Sequence, residues 1–156
     1  TILATGEMLY QLATVPGAYD AVRTRPELIP GIVNESLRLA SPFRGSTRYV
    51  TEDFTVSDTT LPANSRVFLL HASANRDENH FPNPDTFDIE RNPRDHLGWG
   101  HGAHSCMGMH LARAEMEVLL QSIVKRVKSI KAGSPTRAIN NTAQGYATLP
   151  LTLHPV

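Results

Sequence analysis

Apolar residues at helical spacing predict a helix at the very start of the chain. The stripe consists of Ile2, Leu3, Met8, Leu9, Leu12 and Ala13. The triplet Val15-Pro16-Gly17 predicts the end of this helix, because proline and glycine both interrupt helical hydrogen bonding. The chain has no initiating methionine and begins inside the predicted helix. We therefore expect that a preceding segment is missing, which leaves any targeting signal unassessed.

Two further helices are predicted before the pattern changes. A short helix covers residues 17–25 and ends before Pro26. A third helix covers residues 30–40, where Pro30 suits the first turn because the amide hydrogen that proline lacks has no helical partner there. Its buried side is predicted to consist of Ile32, Val33 and Leu37.

The next part of the chain is rich in β-branched and aromatic residues, which favour strands. Short antiparallel strands are predicted over residues 47–50, 54–57 and 65–70. Residues 71–96 are polar and irregular, with about one helical turn. A long irregular stretch inside a compact domain usually has a function.

The clearest helix follows the only cysteine, Cys106. Its apolar residues at helical spacing are Ala112, Met116, Leu119, Leu120, Ile123, Val124 and Val127. The last segment, residues 140–155, predicts a closing hairpin with its turn near Gln144-Gly145. The order of helices, strands, helix and strands predicts an α+β fold in which helices dominate.

Composition narrows the class of protein. The chain has 156 residues, enough for one domain, and its 15 basic and 15 acidic residues give a net charge of +0. This balance argues against bulk attraction to nucleic acid or to an anionic membrane. No apolar run is long enough for a membrane helix. One cysteine cannot form an internal disulfide, which fits a reducing compartment.

Residues 98–113, GWGHGAHSCMGMHLAR, carry the candidate chemistry. A lone cysteine is most often a buried small hydrophobic residue. A zinc site could use His101, His104, Cys106 and His110, but this spacing lacks the usual paired ligands with a long loop between them. A nucleophilic cysteine is a third interpretation, and no family signature of a cysteine hydrolase accompanies it.

A haem ligand is the interpretation that uses the most features of this segment. Glycines surround Cys106 and allow a bulky cofactor to approach the backbone. The cysteine precedes the long helix, where free amides and the helix dipole favour a thiolate. A thiolate on a glycine-rich loop suits haem iron, and the amides after the cysteine could donate to its sulfur.

These residues also carry a family resemblance. The pattern Trp99-Gly100-x-Gly102-x-His104-x-Cys106-x-Gly108 resembles the haem-binding signature of the cytochrome P450 monooxygenases, F-G-x-G-x-[RH]-x-C-x-G, with Trp99 in place of phenylalanine. The resemblance implies haem b as cofactor, Cys106 as the axial iron ligand and His104 near a haem propionate. It covers essentially the whole chain but only the C-terminal portion of the family's single domain, residues 1–156 here.

The resemblance assigns roles to residues that are uninformative alone. Glu35 and Arg38 lie three apart on the third helix, a spacing otherwise typical of a surface ion pair. In the family such a pair joins an arginine of the irregular segment, here Arg91, in a buried network that supports the haem pocket. Arg48 is expected to pair with a propionate. By analogy, the substrate pocket is expected to include Phe43, Arg44, Thr142 and Ala143.

The implied activity is insertion of one atom of dioxygen into a small organic substrate, with electrons from a ferredoxin or flavodoxin. The ending of the chain resembles bacterial members that oxidise aromatic acids, and such members are cytoplasmic. The basic residues Lys125, Arg126, Lys128 and Lys131 are a solvated face or part of a docking surface for the electron donor. The family's distal acid–alcohol pair falls before Thr1, so this chain alone is expected to be inactive. The alternatives are a non-catalytic haem-binding remnant and a Cys/His metal-binding module without haem.

Overall fold

The computed structural model describes all residues, 1–156. Helix α1 covers Ile2–Thr14, α2 covers Ala18–Thr24, and α3 covers Ile29–Ala40 after a 3-10 turn at Pro26–Leu28. The three predicted helices are thus confirmed. The predicted stripe of α1 is only partly correct, because Met8 and Leu12 are buried whereas Ile2 is 86% exposed.

Helix α3 lies at the centre of the fold and is buried on nearly all sides. Every residue from Asn34 to Ala40 is buried, so the predicted apolar side was too narrow. Its neighbours in the core are apolar residues of α1, α2 and the C-terminal helix, among them Val22, Met116 and Leu120. A helix buried all round places its polar side chains in the interior, where each one needs a hydrogen-bond partner.

The strands form four separate two-stranded antiparallel sheets. Strand β1, Ser46–Tyr49, pairs with β4, Arg66–Leu69. Strand β2, Phe54–Val56, pairs with β3, Thr59–Leu61, which the sequence pattern did not predict. Two threonines of β3 lack the apolar alternation that identifies a strand, and the Thr55 and Thr60 hydroxyl oxygens, 3.0 Å apart, join it to β2.

The irregular segment begins with the short helix α4, His71–Ala74, which is the one helical turn predicted there. Two 3-10 turns, Leu97–Trp99 and Gly102–His104, then lead to helix α5, Met109–Arg126. The predicted long helix continued through Val127, and this is wrong: residues Val127–Ala132 form strand β5. The β-branched and alternating pattern of β5 was hidden by its continuity with the helical stripe.

The predicted closing hairpin is also wrong. Strand β6, Thr136–Arg137, pairs with β7, Tyr146–Thr148, whereas β8, Leu151–Pro155, pairs with β5. The dipeptide between β7 and β8 includes Pro150, and the two strands join different sheets. None of the helices combines the length and the apolarity that crossing a lipid bilayer requires.

Candidate functional site

The cysteine lies on residues 97–108, which we call the cysteine loop, and part of this loop closes on itself. The Cys106 amide donates to the Trp99 carbonyl at 2.8 Å. This hydrogen bond closes residues 100–105 into a tight loop. Gly100 and Gly102 take φ angles of 72° and 68°, in the left-handed region that a side chain makes costly. These two glycines are therefore what allows the loop to turn back before Cys106.

The Cys106 side chain is exposed at the end of this loop, three residues before α5. A Cβ added at Gly108 would lie 3.9 Å from Cys106 Sγ, so glycine keeps the space beside the sulfur open. The Met109 amide donates to the carbonyl oxygen of Cys106 at 3.3 Å, whereas the sequence suggested donation to the sulfur.

A cavity of about 590 Å³ lies against this loop. It falls within the roughly 300–1,000 Å³ typical of small-molecule and cofactor pockets. Thr1 and Ala4, at the start of α1, belong to its lining, and α5 contributes Leu111 and Glu115. The residues predicted from sequence that line it are Phe43, Arg48, Trp99, Gly100, His104, Cys106 and Gly108.

Four residues predicted to contact the haem or the substrate lie outside this cavity lining. Gly102 shapes the loop. Thr142 and Ala143 support the backbone next to Phe43, since the Arg44 amide donates to the Thr142 carbonyl and Phe43 forms a bridge with Ala143. The Arg44 side chain lines a different, polar pocket, because successive residues of extended chain face opposite sides.

The cavity wall also contains His71, which no sequence pattern indicated. Its Nε2 lies 3.3 Å from Ser46 Oγ, which also accepts a hydrogen bond from Arg48 at 3.0 Å. Burial, and next the positive charge of Arg48, lower the pKa of His71. The register of β1 and β4, in which Ser46 faces Leu69, places the start of α4 beside Ser46. Only this register reveals the contact.

Glu35 and Arg38 form a fully buried ion pair. Arg38 donates to both carboxylate oxygens of Glu35, from Nε and from Nη2, at 2.8 Å in each case. The guanidinium also donates to three main-chain carbonyls of the irregular segment, those of Asn75, Pro84 and Thr86. Arg38 thus ties helix α3 to the segment that precedes the cysteine loop.

Arg91 is the third member of this network, at 3.1 Å from Glu35 Oε1. Asn75 is a fourth, which sequence analysis missed, and it is completely buried. Its side chain donates to Ser41 Oγ and accepts from the Leu97 amide at 2.7 Å. A continuous set of hydrogen bonds therefore runs from Glu35 through Arg38 and Asn75 to the first residue of the cysteine loop.

The base of the loop holds a second buried polar group, His96. The Gly98 amide donates to His96 Nδ1 at 2.9 Å, so the proton of a neutral imidazole belongs on Nε2. Burial, and next the nearby Arg113, lower the pKa of His96 to about 4. His96 Nε2 and Trp99 Nε1 are both buried without a partner.

The geometry favours a large cofactor over a small ion. Nowhere do three His, Cys, Asp or Glu side chains converge as a metal site would need, so the four residues of the zinc hypothesis are not gathered. The cavity instead offers one sulfur donor, Cys106, and separate cationic or polar groups, Arg48 and His104, on its wall. This donor set fits a cofactor with a metal ion and carboxylate groups, as haem has.

Comparison with known proteins identifies a family to which the sequence of this chain is similar. Residues 8–152 match the family model described as "Cytochrome P450". Cytochrome P450-terp of a Pseudomonas species is 35% identical over 97% of this chain and 36% of its own length. Cytochrome p450 CYP199A2 of Rhodopseudomonas palustris is 33% identical over 99% of this chain and 38% of its own.

The fold of this chain is also similar to solved structures of cytochromes P450. The crystal structure of CYP108D1 from Novosphingobium aromaticivorans has a TM-score of 0.94 and 32% identity, over 99% of this chain and 38% of that one. P450BioI, solved in complex with a fatty-acid-ligated acyl carrier protein, has a TM-score of 0.93 over 98% of this chain and 40% of that one. The chain spans little more than a third of the length of these relatives. It belongs to the cytochrome P450 family.

Proposed function

We propose that this chain binds haem b through Cys106 and forms the cysteine-bearing, C-terminal portion of a haem-thiolate monooxygenase. One observation supports this most strongly. A single cavity brings the Cys106 thiol together with Arg48 and His104, two side chains able to bind carboxylates. Membership of the cytochrome P450 family supports it independently, because this family uses a haem-thiolate cofactor.

Four residues of the cavity have a proposed task. Cys106 would hold the haem iron through its sulfur. Arg48 and His104 bind the propionates, and Arg48 suits this role because a guanidinium can bind a carboxylate with two parallel hydrogen bonds. Haem with a thiolate ligand supplies the dioxygen chemistry when it is bound. Phe43, which faces the cavity and is 61% exposed, would contact an apolar substrate.

The buried network of Glu35, Arg38 and Arg91 has a supporting role in this proposal. Through Asn75 it reaches the Leu97 amide at the start of the cysteine loop. Buried charges are stable only when their hydrogen-bonding groups are satisfied, so the network holds a fixed geometry. We assign it to positioning the loop and not to the reaction.

The electron donor and the substrate are proposed by analogy with the family. The donor would be a ferredoxin or flavodoxin. Lys125 and Arg126 end α5, and Lys128 and Lys131 lie on β5. An 18-residue helix is about 27 Å long, so this basic cluster lies far from Cys106 and is better interpreted as a solvated face.

A small organic molecule, with an aromatic acid as the specific proposal, is the substrate class. The Arg44 side chain, expected near the substrate, lines another pocket, so Phe43 is the main predicted contact that remains. A substrate series should test this class through the spin state of the haem. We expect aromatic acids to shift the Soret band of the reconstituted chain. A shift with aliphatic alcohols of equal size, and none with aromatic acids, would overturn this substrate proposal.

Haem binding without turnover is the second candidate function, and it applies to residues 1–156 on their own. The start of α1, with Ala4, lines the cavity, whereas the acid of this helix, Glu7, is bound by Gln11 and Arg137 elsewhere. Proton delivery needs a donor within hydrogen-bond reach of the reacting atoms. We expect the haem-loaded chain, supplied with reductase, ferredoxin and NAD(P)H, to oxidise NAD(P)H without forming a stoichiometric amount of hydroxylated product. Product formation coupled to NAD(P)H consumption would exclude this function.

Haem and zinc binding can be compared in one experiment. The purified chain is titrated with hemin in the presence of excess Zn²⁺, and bound iron and zinc are measured after gel filtration. We expect one haem per chain and no retained zinc, with loss of haem in Cys106→Ala and retention in the control His110→Ala. Zinc retained in place of haem, and lost in both variants, would overturn the proposal.

A further inference from the structure

The wall between two neighbouring cavities consists of Arg48 and His71. The main cavity, the one of about 590 Å³, is also lined by Cys106. The second cavity, of about 280 Å³, which we call the outer cavity, is lined also by Leu97 and by His101 of the cysteine loop. Arg48 and His71 are the two residues that line both cavities. A group on this wall is therefore open to the cofactor cavity on one side and to the outer cavity on the other.

Ser46 holds the two wall residues together. Its Oγ accepts a hydrogen bond from Arg48 Nη1 at 3.0 Å and lies 3.3 Å from His71 Nε2. Arg48 is also fixed by the Thr47 carbonyl, which accepts from the same nitrogen at 3.0 Å. These contacts hold one guanidinium nitrogen and leave the other donors of Arg48 for a ligand. A carboxylate placed beside Arg48 would lie within reach of the imidazole.

The charges that face His71 come from three elements. Arg48 faces it from β1, His101 and His104 belong to the cysteine loop, and Glu115 of α5 lines the main cavity. Partial burial, and next Arg48, lower the pKa of His71, so the imidazole is neutral near pH 7. A carboxylate beside it would oppose both effects, because an opposite charge favours the protonated form.

We propose that His71 and Arg48 together bind one carboxylate of the cofactor, and that His71 takes up one proton from solvent as this carboxylate enters. The inference rests on the proposed haem binding and adds to it a residue and a proton. The chemistry balances, since no covalent bond forms: a neutral imidazole, a solvent proton and a carboxylate become an imidazolium–carboxylate pair. The outer cavity gives the proton a route that does not pass the cysteine.

The test compares hemin with its dimethyl ester, in which both carboxylates are blocked. Haem release from the reconstituted chain is followed by transfer to excess apomyoglobin. Losing a charge-assisted hydrogen bond should speed hemin release about tenfold in His71→Ala. The same substitution should leave release of the ester within about twofold, and the exposed control His80→Ala should leave both rates unchanged.

A second variant separates proton uptake from packing. His71→Gln keeps a neutral donor, so it should retain part of the hemin affinity. Wild-type chain should take up about one more proton per hemin bound than His71→Gln does, measured by calorimetry in buffers of different ionisation enthalpy near pH 7.5. Equal proton uptake, or equal acceleration of hemin and ester release in His71→Ala, would overturn the inference. If the wild-type chain binds no hemin, the proposed function fails as well, whereas normal hemin binding in both His71 variants removes this inference alone.

Discussion

Replacing Arg38 with alanine should remove much of the stability of the fold. Arg38 is completely buried and donates five hydrogen bonds, two to the Glu35 carboxylate and three to main-chain carbonyls. Without it, Glu35 keeps only Arg91 and the Asp88 amide as partners, and three carbonyls lose their guanidinium donor. Breaking a buried ion pair by removing one partner costs about 3–5 kcal/mol.

This loss is large compared with the total stability of a domain, about 5–15 kcal/mol. The assay is urea unfolding followed by circular dichroism, at low temperature so that Arg38→Ala retains a folded baseline. Arg25→Ala is the matched control, because Arg25 pairs with Glu90 at 2.6 Å while both side chains are about half exposed. Exposed pairs contribute about 0–1 kcal/mol. If the free energy of unfolding falls by less than about 1 kcal/mol in both variants, the buried network does not stabilise the fold more than an exposed ion pair does.

Other substitutions test the packing of the cysteine loop and the cavity. The free energy of unfolding should fall by roughly 3 kcal/mol as pH drops from 6.5 to about 4, because the unfolded chain protonates His96 in a range where the folded chain does not. The variant His96→Gln should lack this part of the pH dependence. The same pH slope in wild type and variant would contradict the prediction. Trp99→Phe should change the free energy of unfolding by less than about 1 kcal/mol, because removing a buried N–H without a partner offsets the lost packing against the core; a loss above about 2 kcal/mol in urea unfolding would contradict this. Gly45→Ala should cost about 1–3 kcal/mol because its Cβ would meet the Leu69 carbonyl directly, whereas Gly6→Ala in α1, with only ordinary contacts, should stabilise by up to about 1 kcal/mol; equal effects on the unfolding midpoint would contradict this difference.

Local patterns were sufficient wherever a segment's structure depends on its own residues. The three N-terminal helices, the short turn of α4 and the start of α5 follow from apolar spacing and from proline and glycine. The glycines around Cys106 correctly indicated a loop, and Gly100 and Gly102 do take positive φ angles.

Features that depend on partners distant in sequence were not accessible in the same way. Strand β5 continues the apolar pattern of α5, and its identity comes from pairing with β8 near the end of the chain. The roles of Asn75 and His71 depend on which strand and loop lie beside them, Leu97 for one and Ser46 for the other. Periodicity reports which face of an element is buried and says nothing of the register between elements.

Thiolate ligation of haem by Cys106 can be observed in the spectrum of the reduced chain under carbon monoxide. Hemin-reconstituted wild-type chain, reduced with dithionite and exposed to carbon monoxide, should show a Soret band at longer wavelength than an imidazole-ligated haem does. Cys106→Ser should lose this band and keep the helical circular dichroism of the wild type, because the exposed thiol contributes little to packing. An imidazole-type band in the wild type, or a thiolate-type band that persists in Cys106→Ser, would contradict haem ligation by this cysteine.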